Sequence, residues 1–363
     1  MMGINPAPTP LPRNLMKRLP FLLAYLAFLI ASLAPAYAQV TPDPGTGLPP
    51  TDFNRVGQAG FQFLKLPTNA RQAGMGGVIS SLGRGDAASS LTNPASLVDV
   101  TGLDIGLSTV RWIADINYHS VAAARYFEGI GIIGVNLLFL DYGDMPRTEN
   151  RPILLDDVPT GRSEVLTNLG TVTAQDLAVG ISYARRVTEQ LHFGVNFKYI
   201  SETLDDATVG AWAVDIGTVF HTGIRSLRVT LVGRNIGPDT QIASFDERIG
   251  YEPADIRMPV NFSFGAAYDL LEGDSGGLHH LTIAAEFVHP NDGAEKVNFG
   301  TEYTFRNLFS VRGGYRFNYD EEGFTLGGGF NVGLSDYTLN LGYAFWEFGL
   351  LGSVHVVSAS FGL

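Results

Sequence analysis

Residues 191 to 199 read Leu191-His192-Phe193-Gly194-Val195-Asn196-Phe197-Lys198-Tyr199. The odd-numbered positions are apolar or aromatic, and the even-numbered positions are small, polar or charged. Successive side chains of a β-strand point to opposite faces, so this period of two predicts a strand with one apolar face and one polar face.

The same alternation recurs from this stretch to the C-terminus. Residues 260–268 and 297–305 repeat it with Val, Phe, Ala, Thr and Tyr on one face and mainly Asn, Ser, Gly and charged residues on the other. Each run covers roughly ten residues, which is the length a tilted strand needs to cross a bilayer.

The number of such runs predicts an all-β chain that forms a transmembrane antiparallel β-barrel of about fourteen strands, an even number as in bacterial outer-membrane barrels. The predicted strands cover 101–111, 115–126, 130–141, 175–187, 191–204, 211–221, 226–236, 257–270, 279–289, 295–306, 309–319, 322–333, 336–346 and 351–363. The two longest connections, 142–174 and 237–256, follow odd-numbered strands. With the N-terminus in the periplasm, these long connections are expected outside the cell.

A soluble β-sandwich or barrel would also show alternating strands, with the apolar face packed as a core. Two features favour the membrane barrel. Aromatic residues such as Tyr199, Tyr303 and Trp346 stand towards strand ends, as interfacial girdles require, and the polar faces are rich in Gly, Ser and Asn. The last run ends at the C-terminus with Phe361 third from the end, which resembles the assembly signal of outer-membrane barrels.

The N-terminus resembles an export signal. Arg13, Lys17 and Arg18 form a positive region, 21–33 is an apolar core, and Ala-Tyr-Ala at 36–38 fits a cleavage site. Residues 1–38 are therefore predicted to be a signal peptide, with an uncleaved membrane anchor as the alternative. Residues 39–52 are rich in Pro and Gly and are predicted to be a flexible leader.

Composition limits the partners and the chemistry. The chain has a formal net charge of -12 and no Cys. An acidic chain repels nucleic acid, and the absence of Cys excludes disulfides and thiolate metal sites. The His residues are scattered and no catalytic constellation is present, so we expect no enzymatic activity, no cofactor and no metal.

Residues 53–100 are rich in small residues and precede the strands, which predicts a hatch at the mouth of a barrel formed by 101–363. The glycine runs lack the Gly-Lys-Ser/Thr ending of a phosphate-binding loop. Glycine more readily allows close packing of the backbone against the barrel wall. The candidate hatch residues are Gly74, Gly76, Gly77, Asn93, Pro94 and Ala95.

Charged residues of both signs occupy the predicted polar faces, where they must pair or stay hydrated. We expect them to hold the hatch, with a polar path through the barrel as the alternative. These residues are Lys198, Asp269, Glu286, Glu302, Arg306, Arg312 and Arg316.

The sequences at 63–66, 70–77 and 93–97 resemble the N-terminal signature of the PorV/PorQ family, which is similar to the wider group of FadL-like barrels. The stretches 140–145, 176–186 and 229–238 are also similar. The resemblance implies a fourteen-stranded barrel with an N-terminal hatch. It further implies a role in the type IX secretion system, in which the barrel binds the C-terminal signal domain of exported cargo and passes it to the surface attachment complex.

Three functions follow as hypotheses. The first is cargo binding, with exported proteins that carry C-terminal signal domains, other type IX components and outer-membrane lipid as partners. The second is a FadL-like transporter of long-chain fatty acids or other hydrophobic small molecules. The third is a structural barrel without a ligand.

Overall fold

The computed structural model describes residues 59–78, 85–155, 158–167, 169–205, 207–241, 255–271, 278–334 and 337–363. The predicted signal peptide, the predicted leader and the first residues of the predicted hatch segment, 53–58, lie outside the described residues. In the described part of the chain, no helix is both long and apolar enough to cross a bilayer.

Strands make up most of the described residues. They are β1 (Leu103–Arg111), β2 (Asn117–Phe127), β3 (Gly131–Pro146), β4 (Glu149–Leu155), β5 (Val158–Leu166), β6 (Thr171–Arg186), β7 (Leu191–Leu204), β8 (Ala207–His221), β9 (Arg228–Ile236), β10 (Asn261–Leu271), β11 (His279–Pro290), β12 (Lys296–Phe305), β13 (Phe309–Phe317), β14 (Phe324–Leu334), β15 (Tyr337–Glu347) and β16 (Ser353–Gly362). The helices are short: an α-helix, α1 (Ala70–Gly74), and 3₁₀ turns at Gln62–Lys65, Ala87–Leu91, Pro94–Asp99, Ile113–Asp115 and Gly349–Leu351.

Fourteen of the described strands close into an antiparallel barrel in the order β1-β16-β15-β14-β13-β12-β11-β10-β9-β8-β7-β6-β3-β2. The barrel closes between the first and last strands, where Leu107 of β1 lies opposite Ala359 of β16. At this seam the backbone N–H of Leu363 donates to the carbonyl of Leu103 at 2.7 Å. The predicted fold class and the fourteen-strand count are confirmed.

The predicted connection 142–174 is partly wrong. Strand β3 extends to Pro146 and β6 begins at Thr171, and between them β4 and β5 form a separate two-stranded sheet. These added strand residues lie beyond the apolar belt, where both faces of a strand contact water. Their sequence therefore lacks the alternation from which the other strands were predicted.

The apolar faces of the strands point outwards. On β7, Phe193 and Phe197 have 38% and 49% of their surface exposed, whereas His192 and Asn196 on the opposite face are buried. In a soluble barrel the apolar face would be buried as a core. This inverted pattern is that of a barrel whose outer surface contacts lipid.

The residues 59–78 and 85–100, called here the N-terminal segment, pack against the inward faces of the strands. Phe61, Leu64 and Leu97 are completely or almost completely buried, in one cluster with Tyr118 and Ile200 of the barrel wall. The apolar core of the protein is therefore made between this segment and the wall.

Candidate functional site

The first half of the N-terminal segment rests on glycines of the wall. A Cβ added to Gly314 would lie 2.2 Å from the backbone nitrogen of Gly76, and one added to Gly327 would lie 3.1 Å from the Cα of Gly74. Gly76 and Gly77 have positive φ angles of 69° and 82°, which favour glycine. They end helix α1, and the N–H of Gly76 donates to Thr325 Oγ1 at 2.9 Å.

The second half is seated in the same way on the opposite wall. A Cβ added to Gly194 would lie 2.3 Å from the backbone nitrogen of Ala95 and from the carbonyl carbon of Pro94. Asn93 is fully buried, and its Oδ1 accepts from the N–H of Ala95 at 3.1 Å to cap the following 3₁₀ turn. The six candidate hatch residues thus lie at two contacts between segment and wall.

A buried ion cluster fixes helix α1. Arg71 Nε donates to Glu302 Oε2 at 3.0 Å and Arg71 Nη2 to Glu302 Oε1 at 2.9 Å. Arg312 Nε donates to Glu302 Oε2 at 2.6 Å. We call Arg71, Glu302 and Arg312 the Arg71 clamp. Glu302 and Arg312 therefore act on the segment, as their position on a polar face suggested.

Other predicted lumen charges have different surroundings. Lys198 pairs with Asp215 and Asp269 pairs with Arg228, both between neighbouring strands. Arg306 is exposed in the turn after β12. Its predicted position on the inward polar face of the strand is therefore wrong. A turn residue was assigned to the strand because alternation continues for one residue beyond Phe305.

An outer cavity of about 500 Å³ lies between the N-terminal segment and the barrel end that carries the β4–β5 hairpin. Its apolar wall includes Phe63, Leu66, Trp112, Leu140, Tyr319 and Trp346. Its polar wall includes Lys65, Arg234, Asp292, Asn298, Arg316 and Glu322.

Aromatic rings form one side of this outer cavity. Trp112 meets Trp346 edge-on with ring centroids 6.2 Å apart, and Phe348 is 5.0 Å from Trp112. The guanidinium carbon of Arg316 lies 3.6 Å from the Tyr319 ring centroid and 4.3 Å from that of Trp346. Trp346 was predicted to belong to an interfacial girdle. It faces inwards instead, because its position in β15 has the parity of the buried side chains.

The segment is also tied to the rim of the outer cavity. Lys65 Nζ donates to both carboxylate oxygens of Asp292, at 2.5 and 2.6 Å, and Gln62 Nε2 donates to Oδ2 at 2.8 Å. Burial disfavours the charged carboxylate, but these hydrogen bonds outweigh it, and the pKa of Asp292 lies below its usual value.

This lowered pKa predicts a pH dependence. A carboxyl group whose pKa is lower in the folded state stabilises the fold above its unfolded pKa, and this contribution disappears as pH falls through the folded pKa. We expect wild type to exceed Asp292→Asn by about 1–2 kcal/mol in free energy of unfolding at neutral pH. The difference should begin to shrink near pH 4, the usual pKa of a carboxyl group, and disappear as pH falls through the lower pKa of folded Asp292. Unfolding by guanidinium in lipid vesicles at several pH values measures it, and a constant difference down to pH 2 would contradict the assignment.

An inner cavity of about 220 Å³ lies at the other end of the barrel. Its wall is polar and includes Asp86, Asp104, Ser108, Ser120, Asn340 and Ser358. Thr68, Asn69 and Arg71 line this inner cavity, whereas Leu66, Pro67 and Gln72 line the outer one. Residues 66–72 therefore stand between the two cavities.

The close packing of the N-terminal segment on the barrel wall can be tested by substituting two adjacent glycines. Gly314→Ala places a methyl group 2.2 Å from a backbone atom of the segment, whereas on the outward face a Cβ added to Gly313 would be 4.0 Å from its nearest neighbour, Leu326. Overpacking of this kind costs about 1–3 kcal/mol. We expect Gly314→Ala to lower the free energy of unfolding by that amount and Gly313→Ala to leave it nearly unchanged. Equal effects of the two substitutions would argue against close packing of the N-terminal segment on Gly314.

Similar architectures occur in solved channel structures. The Pseudomonas putida toluene transporter TodX matches with a TM-score of 0.53 at 13% identity, over 82% of this chain and 98% of TodX. The CymD monoaromatic hydrocarbon channel matches with a TM-score of 0.51 at 15% identity, over 82% of this chain and 97% of CymD. This chain has the fold of these channels. A Pseudomonas aeruginosa FadL homologue also matches, with a TM-score of 0.47 at 10% identity over 82% of this chain and 98% of its own.

Sequence comparisons do not assign the chain to a family. No protein-family model matches the chain, and no curated protein matches its sequence. The resemblance to the PorV/PorQ family therefore stays a prediction. The closed barrel, its exposed apolar surface and its shared fold identify an outer-membrane protein, as predicted.

The sequence did not reveal the outer cavity. Trp112, Trp346 and Tyr319 come from three separate connections or strand ends, and Phe63 comes from the N-terminal segment. Only the parity of Trp346 within its strand could have shown that it points inwards. The Arg71 clamp was partly foreseen, because Glu302 and Arg312 were expected to hold the hatch.

Proposed function

We propose that the protein is an outer-membrane channel for small hydrophobic molecules and has no enzymatic activity. The observation that carries this proposal is the outer cavity, whose aromatic wall ends at the segment that separates it from the inner cavity. Apolar cavities with a few polar groups are the usual sites for small organic ligands. The fold shared with a toluene transporter and a monoaromatic hydrocarbon channel supports the same reading.

In this proposal residues 53–100 are the hatch of a barrel formed by 101–363. Gly74, Gly76 and Gly77 fit the hatch to one side of the wall, and Asn93, Pro94 and Ala95 fit it to the other. The Arg71 clamp holds helix α1 between the cavities. Undocking of residues 66–72 would join the two cavities into a path.

The experiment that tests the channel is uptake of labelled toluene by Gram-negative cells with a lipopolysaccharide outer membrane. Cells that express the protein should take up toluene several-fold faster than cells with an empty vector. Trp212→Phe, which alters a side chain on the outer surface, should leave the rate unchanged. Equal rates with and without the protein would overturn the proposal.

A second candidate is cargo binding in the type IX secretion system. It is favoured by the β4–β5 hairpin, a two-stranded sheet separate from the barrel that offers an exposed surface outside it. Its partners would be exported proteins with C-terminal signal domains and other type IX components. Deletion of the gene should then trap such cargo in the periplasm, and shortening the hairpin should abolish capture of an isolated signal domain. Normal surface display after deletion would exclude this role.

A further inference from the structure

Two carboxylates line the inner cavity, one on each side of the contact between the N-terminal segment and the wall. Asp86 belongs to the segment and Asp104 to β1. The two are held close together, because Asp104 Oδ1 accepts from the N–H of Ala87, the residue after Asp86, at 2.7 Å. No local sequence pattern marks this pair, since the two residues meet only when the segment packs on the wall.

Each carboxylate uses one oxygen to hold the local structure. Asp104 Oδ1 accepts from Ala87, and Asp86 Oδ1 accepts from the N–H and the hydroxyl of Ser89 at 3.0 and 2.9 Å, which caps the 3₁₀ turn that follows. Neither Oδ2 atom accepts a hydrogen bond from a described residue, and neither carboxylate forms an ion pair with a described Lys, Arg or His. One oxygen of each carboxylate is therefore available to a ligand.

The free oxygen of Asp104 remains accessible although the residue is buried. Asp104 has 8% of its surface exposed and lines the inner cavity. The described side-chain atoms that are both unpaired and inaccessible do not include Asp104 Oδ2, so a ligand in the cavity can contact it. Burial of a carboxylate without a cation is costly, and this oxygen therefore calls for a positively charged ligand.

The charged groups around the inner cavity leave an excess of negative charge. Arg71 and Arg312 also line the cavity, but both donate to Glu302 in the Arg71 clamp. Together with Asp86 and Asp104 this makes three carboxylates and two guanidinium groups, a net charge of -1 when all are ionised. The cavity therefore attracts a cation.

The remaining polar wall supplies oxygen atoms. Ser108 Oγ donates to the carbonyl of Val357 at 3.0 Å and Ser120 Oγ to that of Thr68 at 2.7 Å, which leaves the lone pairs of both hydroxyl oxygens available. Carboxylates together with neutral oxygens and water suit hard divalent cations such as Ca²⁺ and Mg²⁺. A cavity of about 220 Å³ has room for such an ion and several of its waters, each of which occupies about 30 Å³.

We propose that the inner cavity binds a hydrated divalent cation between Asp86 Oδ2 and Asp104 Oδ2. The described residues contain no group of three or more His, Asp or Glu side chains that could hold a metal, so two carboxylates carry the site and hydroxyls and water complete the coordination. The site goes beyond the expectation from sequence that the protein binds no metal, and it does not depend on the proposed channel function. Because Asp86 lies on the segment and Asp104 on the wall, the ion fastens one to the other.

The test is calorimetric titration of the purified full-length protein in detergent with Ca²⁺ and, separately, with Mg²⁺. Bound metal is first removed with EDTA, and NaCl keeps the ionic strength constant. We expect one divalent ion per chain with a dissociation constant of about 0.1–1 mM, the range of sites with few charged ligands.

Two conservative variants locate the ion. Asp104→Asn keeps the Oδ1 acceptor for Ala87, and Asp86→Asn keeps the turn capped, because Asn and Asp are equally good caps. Each should weaken Ca²⁺ binding at least about 10-fold. Asp144→Asn is the matched control, because Asp144 is exposed near the end of β3 and the substitution should leave the affinity unchanged.

Three calorimetric results would overturn the inference. These are no saturable binding of either divalent cation by the wild type, wild-type affinity in Asp86→Asn or Asp104→Asn, and an equal loss in Asp144→Asn. Unfolding by urea gives a second readout, because a ligand that binds only the folded state stabilises it. Ca²⁺ should raise the transition midpoint of the wild type and of Asp144→Asn but not that of Asp104→Asn, and equal shifts in all three proteins would place the ion elsewhere.

Discussion

Replacing Glu302 by Gln is expected to release helix α1 and open a path between the two cavities. The Glu302 carboxylate is 1% exposed and is shared by Arg71 and Arg312. Its loss leaves two guanidinium groups without their common partner, and breaking a buried pair costs about 3–5 kcal/mol. That cost corresponds to roughly 100-fold or more in the ratio of docked to undocked segment. Single-channel recordings in planar bilayers should show more frequent openings, each with a larger conductance.

Because Glu302→Gln also changes the wall, Arg71→Met provides a second test. It removes the cation that the segment contributes to the Arg71 clamp but leaves the pair between Glu302 and Arg312 at 2.6 Å. We expect Arg71→Met to raise conductance as well, with a smaller loss of barrel stability. Glu128→Gln, on an exposed turn, is the control and should behave as wild type. Closed channels in both Arg71→Met and Glu302→Gln would show that the clamp does not hold the segment.

Replacing Lys198 by Met is expected to destabilise the barrel wall by about 3–5 kcal/mol. Lys198 Nζ donates to Asp215 Oδ1 at 2.8 Å and to Asn235 Oδ1 at 2.5 Å, and Asp215 is 1% exposed. Without Lys198 the buried Asp215 carboxylate loses its cation. Unfolding by guanidinium in lipid vesicles measures the change as a shift of the transition midpoint.

The double variant Lys198→Met with Asp215→Leu gives the control for this prediction. Replacement of a whole buried ion pair by apolar groups is often nearly neutral, because neither charge is then left unpaired. We expect the double variant to recover part of the stability lost in Lys198→Met, because Asn196 Nδ2 and the Asn235 N–H still lose Asp215 as their acceptor. A double variant that is less stable than Lys198→Met would mean that the loss comes from packing and from Asn235, and not from the unpaired carboxylate.

The spanning strands could be predicted from sequence because the bilayer and the lumen impose opposite requirements on their two faces. In β7, Phe193 and Phe197 face lipid while Asn196 and Lys198 face the lumen, which gives the alternation directly. The same physics explains the failure at β4 and β5. Outside the bilayer no lipid selects an apolar face, so 149–166 shows no alternation and was assigned to a loop.

The contacts between segment and wall could be predicted only in outline. The glycines of 74–77 indicated close packing, but their partners Gly300, Gly314 and Gly327 lie more than two hundred residues away in the chain. The outer cavity depends on the direction of Trp346, which a strand-end position does not determine. Such long-range pairings are fixed by the closure of the barrel and have no local signal in the sequence.

The proposed function requires that hydrophobic molecules pass through the barrel and that the N-terminal segment controls their passage. The chain has no Cys, and a Cβ added to Gly342 would lie 3.1 Å from the Cβ of Ala70 and 2.8 Å from Ser358 Oγ. The Cβ atoms of a disulfide lie about 3.5–4.5 Å apart, so Ala70→Cys with Gly342→Cys can link helix α1 to β15 once the two elements shift apart by about 0.5 Å. The decisive measurement is toluene uptake by cells that express this double variant, before and after reduction, with each single variant as control. We expect uptake to be blocked in the oxidised form and restored by reduction. Undiminished uptake in the fully oxidised form would contradict control of passage by the N-terminal segment.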